Sequence, residues 1–126
     1  MDAAQKAVSE VIEKQGPEYW KALEESLLNA IDALDFEFTG AVTPFEGGLR
    51  VSVNRLGQAF KQNYTDLFYR RGAHEIRCAT LHSGTYALKF YVTPENTIAL
   101  TSTFGGGVER MDPAQASEHI MQFMIS

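Results

Sequence analysis

Cysteine is nearly absent from this chain: Cys78 is the one thiol in 126 residues. An intramolecular disulfide is excluded, and so is a cysteine-built zinc site, which needs several ligands at short spacing. No run approaches the ~18 apolar residues of a membrane-spanning helix. The opening Met1-Asp2-Ala3-Ala4-Gln5-Lys6 lacks the basic segment and apolar run of a secretory leader. These absences lead us to expect a chain of a reducing compartment, most simply the cytoplasm, with no membrane association. Repeats, low-complexity stretches and linkers are absent as well, so residues 1–126 read as a single domain.

Chemistry-bearing patterns are equally scarce. His74, His82 and His119 share neither the i, i+4 helical spacing nor the close hairpin spacing of metal ligands. Gly105-Gly106-Gly107 is followed by Val108-Glu109-Arg110-Met111 and no lysine, whereas a phosphate-cradling loop places its glycines at a helix start with a lysine beyond. His74 stands four residues from Cys78 on a strand, roughly 13 Å away at the usual rise per residue, too far to activate the thiol. Carboxylate pairs such as Glu24-Glu25 and Glu10 with Glu13 fall on helical faces with no cleft implied. We therefore expect no catalytic residue, no metal and no cofactor, and lean away from an enzyme.

What is present is a segregation of charge beneath a net charge of −5. Residues 1–46 carry ten acids against Lys6, Lys14 and Lys21. Residues 47–92 carry seven bases (Arg50, Arg55, Lys61, Arg70, Arg71, Arg77, Lys89) against Asp66 and Glu75, and the remainder is acidic again. Such segregation bears on partners rather than on fold. Its plainest meaning is acids on exposed helix faces and bases on an exposed sheet face.

Periodicity gives the elements. Ala4, Ala7, Val8, Val11 and Ile12 form one apolar stripe at helical steps; Gly16-Pro17 is expected to end that helix, with Pro17 opening a second. Trp20, Leu23, Leu27, Ala30, Ile31 and Leu34 line the second helix. From Phe36 the period becomes two: Phe36, Phe38, Gly40 and Val42 alternate with polar or small residues, Pro44 to Gly48 turns the chain, and Leu49, Val51 and Val53 alternate with Arg50, Ser52 and Asn54. Residues 55–63 are ambiguous, with Leu56, Ala59 and Phe60 fitting a short helical turn that Gly57 weakens. A last helix starts at Asp112-Pro113-Ala114-Gln115, a cap, a first-turn proline and a glutamine three residues on.

Three turns between residues 70 and 98 set registers. Arg71-Gly72-Ala73-His74 reads as a two-residue hairpin pairing Arg70 with Glu75 and Phe68 with Arg77. Ser83-Gly84-Thr85 reads as a three-residue loop pairing Cys78 with Phe90 and Ile76 with Val92. In Thr93-Pro94-Glu95-Asn96-Thr97, proline suits a type I turn and Asn96 tolerates the left-handed conformation, pairing Phe90 with Leu100 and Tyr91 with Ala99. All three agree on the faces. One carries Leu67, Tyr69, Ile76, Cys78, Leu88, Phe90, Val92, Ile98 and Leu100, a core that helices must cover. The other carries Phe68, Arg70, Glu75, Arg77, Ala79, Lys89, Tyr91, Ala99, Thr101 and Thr103.

The expected fold is α+β: two N-terminal helices, an antiparallel sheet of about six strands (a hairpin plus a four-strand meander) and a C-terminal helix. Phe68, Arg70, Arg77, Lys89 and Tyr91 are the candidate binding residues, because exposed aromatics beside cations are what protein interfaces concentrate. The function expected is that of a small non-enzymatic binding protein that occupies a protein partner, as an immunity protein, an inhibitor or a chaperone does. The same face also suits a homodimer contact, a cover by the first helix, a solvated surface or a small anionic ligand. Nucleic acid is disfavoured by the acidic balance and by the absence of an RNA-binding aromatic motif. The competing class is a small-ligand binder or enzyme with a pocket between helices and sheet, near Tyr86, Thr103 and Arg110.

Overall fold

The computed structural model describes residues 2–57, 62–82, 84–102 and 110–125. The chain opens with α1 (Ala3–Asp32), continues through β1 (Phe38–Phe45), β2 (Gly48–Arg55), β3 (Tyr64–Arg70), β4 (Glu75–Thr80), β5 (Gly84–Val92) and β6 (Ile98–Ser102), and closes with α2 (Pro113–Ile125). It is an α+β fold with a six-stranded antiparallel sheet in the order β1-β2-β3-β4-β5-β6, so every strand lies beside its sequence neighbours.

In place of two N-terminal helices there is one, 30 residues long, and Pro17 lies inside it. A proline at that depth removes one hydrogen bond and costs about 3 kcal/mol. Two features offset the cost. The buried stripe Ile12, Gly16, Tyr19, Leu23, Leu27 stays in helical phase straight through Pro17. Gly16 is a packing notch rather than a break: a Cβ there would overlap the hydroxyl of Tyr69 on β3. The start of α1 is closed by a capping box that pattern reading overlooked, in which Gln5 N–H donates to Asp2 Oδ1 at 2.8 Å and Asp2 N–H to Gln5 Oε1 at 3.4 Å. Helix α2 begins as its sequence dictates, with Gln115 N–H donating to Asp112 Oδ1 at 2.8 Å and Asp112 N–H to Gln115 Oε1 at 3.0 Å.

Phe68 faces Arg77 and Arg70 faces Glu75 across β3 and β4, and Phe90 faces Leu100 and Tyr91 faces Ala99 across β5 and β6. Asn96 is left-handed (φ 62°), as its turn requires. The connection between β3 and β4 is not a two-residue turn: Arg71–Ala73 forms a single 3-10 turn and His74 takes the left-handed conformation (φ 52°). The β4–β5 register also differs. Cys78 faces Tyr86 and Ile76 faces Leu88, four positions along from the expected partners. Gly84 (φ 79°) begins β5 opposite Thr80 instead of forming the loop centre, and the Thr80 hydroxyl donates to its carbonyl at 2.7 Å. Because side chains alternate with a period of two, a shift by an even number of residues leaves every side chain on its expected face.

Both helices pack on one face. Leu23, Leu27, Leu49, Val51, Leu67, Ile76, Cys78, Leu88, Leu100, Ala116 and Ile120 are buried together. Strand residues of this same face meet both helices: Tyr19 of α1 stands edge-on to Phe90 at 5.2 Å, and Phe123 of α2 stacks on Tyr86 at 5.1 Å. The Tyr19 hydroxyl donates to Met111 O at 2.7 Å. Met111 in turn exchanges two backbone hydrogen bonds of 3.0 Å with Leu100, closing the outer edge of β6.

Candidate functional site

Neither described helix packs on the opposite face of the sheet. Its rows follow from the register. Arg70, Glu75, Lys89 and Thr101 form one row across β3 to β6, and Phe68, Arg77 and Ala87 form the next. Tyr91 lies beside Ala99 one row beyond the first. All five candidate residues, Phe68, Arg70, Arg77, Lys89 and Tyr91, therefore share this face, with the three cations exposed and the two aromatics half-buried. Thr103 lies outside the described residues, as do Gly105-Gly106-Gly107, Ala59 and Phe60.

Charge on this face is partly neutralised, in a way that singles out two arginines. Lys89 Nζ lies 3.3 Å from Glu75 Oε1, so the ion pair of Glu75 is to β5 rather than to Arg70 on β3. Arg70 and Arg77 have no ion pair among the described residues, although both are exposed. Glu75 is only 5% exposed, and its second oxygen, Oε2, is buried with no hydrogen-bond partner among the described residues. A buried acceptor left unmatched costs about 1–3 kcal/mol, more for a charged group.

Towards β1 the face continues with residues that pattern reading did not include. Arg50 grips Asp66 through two bonds, Nε to Oδ1 at 2.7 Å and Nη2 to Oδ2 at 3.0 Å, and its guanidinium lies 4.0 Å from the centre of the Tyr64 ring. Hydrogen bonding to Asp66 holds the Arg50 guanidinium above its ordinary pKa. Phe45 meets Phe68 edge-on at 5.5 Å. Together Thr43, Phe45, Arg50, Asp66 and Phe68 line a shallow depression of about 270 Å³. The sequence signal was the alternation of β2, but joining it to β3 required a register across the ambiguous residues 55–63.

Of the three residues named for the competing pocket, Tyr86 and Arg110 are described and Thr103 is not. Tyr86 is buried beneath His119 and Phe123 of α2, with its hydroxyl against the Cys78 thiol. Arg110 is exposed and lies 3.6 Å from Glu95. A groove of about 700 Å³ does exist, but between the two helices, lined by Ala30, Ala33, Leu34, Glu118, Met121, Gln122 and Ile125. Cys78 is fully buried, and desolvation pushes its thiol up to about 12. Such a thiol stays protonated and unreactive at neutral pH. Desolvation likewise raises the Tyr19 and Tyr86 hydroxyls above the ordinary phenol range.

The histidines are dispersed. His74 Nε2 lies 3.4 Å from Ser9 Oγ, His82 donates to Gln62 O at 2.9 Å, and His119 sits between aromatic rings of α2 and β5. No group of three His, Cys, Asp or Glu side chains is placed to hold a metal ion among the described residues. No described helix is long and apolar enough to cross a membrane. The fold and the site thus define an α+β protein with one helix-covered and one open sheet face. No protein-family model, no curated protein and no solved structure matches the chain.

Proposed function

We propose that this protein is a non-enzymatic binding protein whose open sheet face, centred on Phe68, Arg70, Arg77, Lys89 and Tyr91, takes an acidic surface of a protein partner. The observation that carries the reading is Arg70 and Arg77: two exposed guanidiniums with no ion pair among the described residues, both beside Phe68 on a face that neither described helix covers. Arginine beside an aromatic is the pairing that dominates measured interface energies, and charges of one sign on the face steer a partner of the other. Phe45, Arg50 and Tyr64 extend the same surface towards β1.

The test is a comparison of capture by the immobilised wild-type protein and by Arg77→Glu from a lysate of the source cells, followed by affinity measurement on whatever protein separates the two. A partner that loses more than about 2 kcal/mol of binding on Arg77→Glu, and binds more weakly as salt rises, is the expected result. Equal binding by wild type and variant for every captured protein would remove the face from consideration. Binding by a nucleic acid in a gel shift, with the same salt trend, would replace the protein partner by a polyanion.

A further inference from the structure

The two edges of the sheet are treated differently. At β6 the backbone of Leu100 is already paired with Met111. At β1 no described residue pairs with the outer edge. Leu56 N–H donates to Glu37 O. Extended along the unbroken β1–β2 register, that bond turns the backbone groups of residues 39, 41, 43 and 45 towards β2 and those of 38, 40, 42 and 44 outward. Phe38 N–H is taken by Asp35 O at 2.9 Å, and Pro44 has no N–H. The open stretch of edge is thus residues 39–45, with donors at Gly40 and Val42 and acceptors at Gly40, Val42 and Pro44.

Natural edge strands are usually guarded by a charged side chain, a bulge or a covering segment. β1 has no charged residue, no bulge in its register and a proline only near its end. We infer that the β1 edge pairs with the β1 edge of a second copy of this chain, antiparallel about a two-fold axis through Val42. The centre of the open stretch is Val42, so this is the register that uses all of it. Val42 exchanges its N–H and C=O with its own copy, and Gly40 N–H donates to Pro44 O on either side, which asks no donor of Pro44. Asp35, which blocks the edge at Phe38, then lies beyond the tip of the partner hairpin. On the open face Ala41 of each copy meets Thr43 of the other, and both are small and exposed.

A second copy suits this edge better than a foreign strand. The uncharged stretch is self-complementary without like-charge conflict, and a two-fold pairing closes on itself instead of propagating. Joining two six-stranded sheets in this way makes a sheet of twelve strands with both open faces on the same side and both helix layers on the other. The dimer would present the aromatic and basic surface twice, but self-pairing stands whether or not that surface binds a partner.

Sedimentation of the full chain across a concentration series reads the association directly. Ala41→Glu with Thr43→Glu places like charges opposite one another on both sides of the axis and should weaken association by about tenfold or more. Ala41→Lys with Thr43→Glu differs only at residue 41 and turns each contact into an opposite-charge pair, so association should return to within about threefold of wild type. Both residues are exposed on the sheet, and an unchanged melting curve verifies that each variant folds. A chain that stays monomeric at every concentration overturns the inference and leaves the edge to a foreign strand. A dimer that the double glutamate variant leaves intact overturns it too, placing the contact elsewhere, and failure of the lysine–glutamate variant to restore pairing overturns the register.

Discussion

The two faces of the sheet are made by the same strands from alternate residues, yet they obey different rules. On the covered face Leu49, Leu67, Ile76, Leu88 and Leu100 are each at most 2% exposed, and the buried Cys78 Sγ faces another buried polar atom in Tyr86. On the open face cations and rings alternate with small residues, and among the described residues ion pairing is partial and one buried carboxylate oxygen is unmatched. The covered face is optimised for packing, where a change in charge or volume is felt at once. The open face carries two exposed arginines with no ion pair among the described residues.

That contrast can be broken most forcefully at Cys78. Cys78→Asp buries a carboxylate among Leu67, Tyr86 and the α2 side chains, and should destabilise the fold by more than about 4 kcal/mol in chemical denaturation. A mild effect would show that this face admits water.

A smaller effect follows from the thiol itself. Burial raises its pKa from the ordinary 9.0 to about 12, so the folded state favours the protonated form. The resulting stability is whole below pH 9 and drains away as pH rises towards 12. Relative to Cys78→Ala, the wild type should therefore lose on the order of 1 kcal/mol by pH 10, at a rate approaching 1.4 kcal/mol per pH unit. Denaturation curves of the two proteins at pH 7, 9 and 10 give the difference; a constant gap would mean that the thiol is open to solvent.

The smallest effect on stability belongs to the open face. Arg77→Glu reverses a charge beside Phe68 and Ala87, with no hydrogen bond or ion pair to lose among the described residues. It should move unfolding free energy by less than about 0.5 kcal/mol. Thermal melts at two salt concentrations measure it, and a large loss would make the face structural, contrary to its proposed role in binding.

Much of the fold was legible because its signals are local. The cap at Asp112 and Gln115 lies within four residues, and the turn at Pro94 and Asn96 within five, so neither depends on distant packing. The β4–β5 loop was misplaced because glycine was assigned to the loop centre, whereas Gly84 serves as the left-handed residue where β5 starts. The helix at Pro17 was divided because proline was weighed as a local breaker, when the deciding term was a stripe packed along α1 and a glycine notch filled by Tyr69 from a strand some fifty residues away. The candidate site was legible as far as β3 to β6. Its extension to Phe45, Arg50 and Tyr64 was not, since no turn signal sets the β2–β3 register through residues 55–63.

Alternation by itself determined which side chains share a face, because the two-residue period is a property of extended backbone and survives even a misplaced loop. Only the tertiary structure decided that α1 and α2 land on the same face and leave the other open. It also decided that Met111 returns to seal β6 while nothing described seals β1. Those outcomes depend on where helices of 30 and 13 residues pack, and they are set by burial and connection length summed over the whole chain rather than by any short pattern within it.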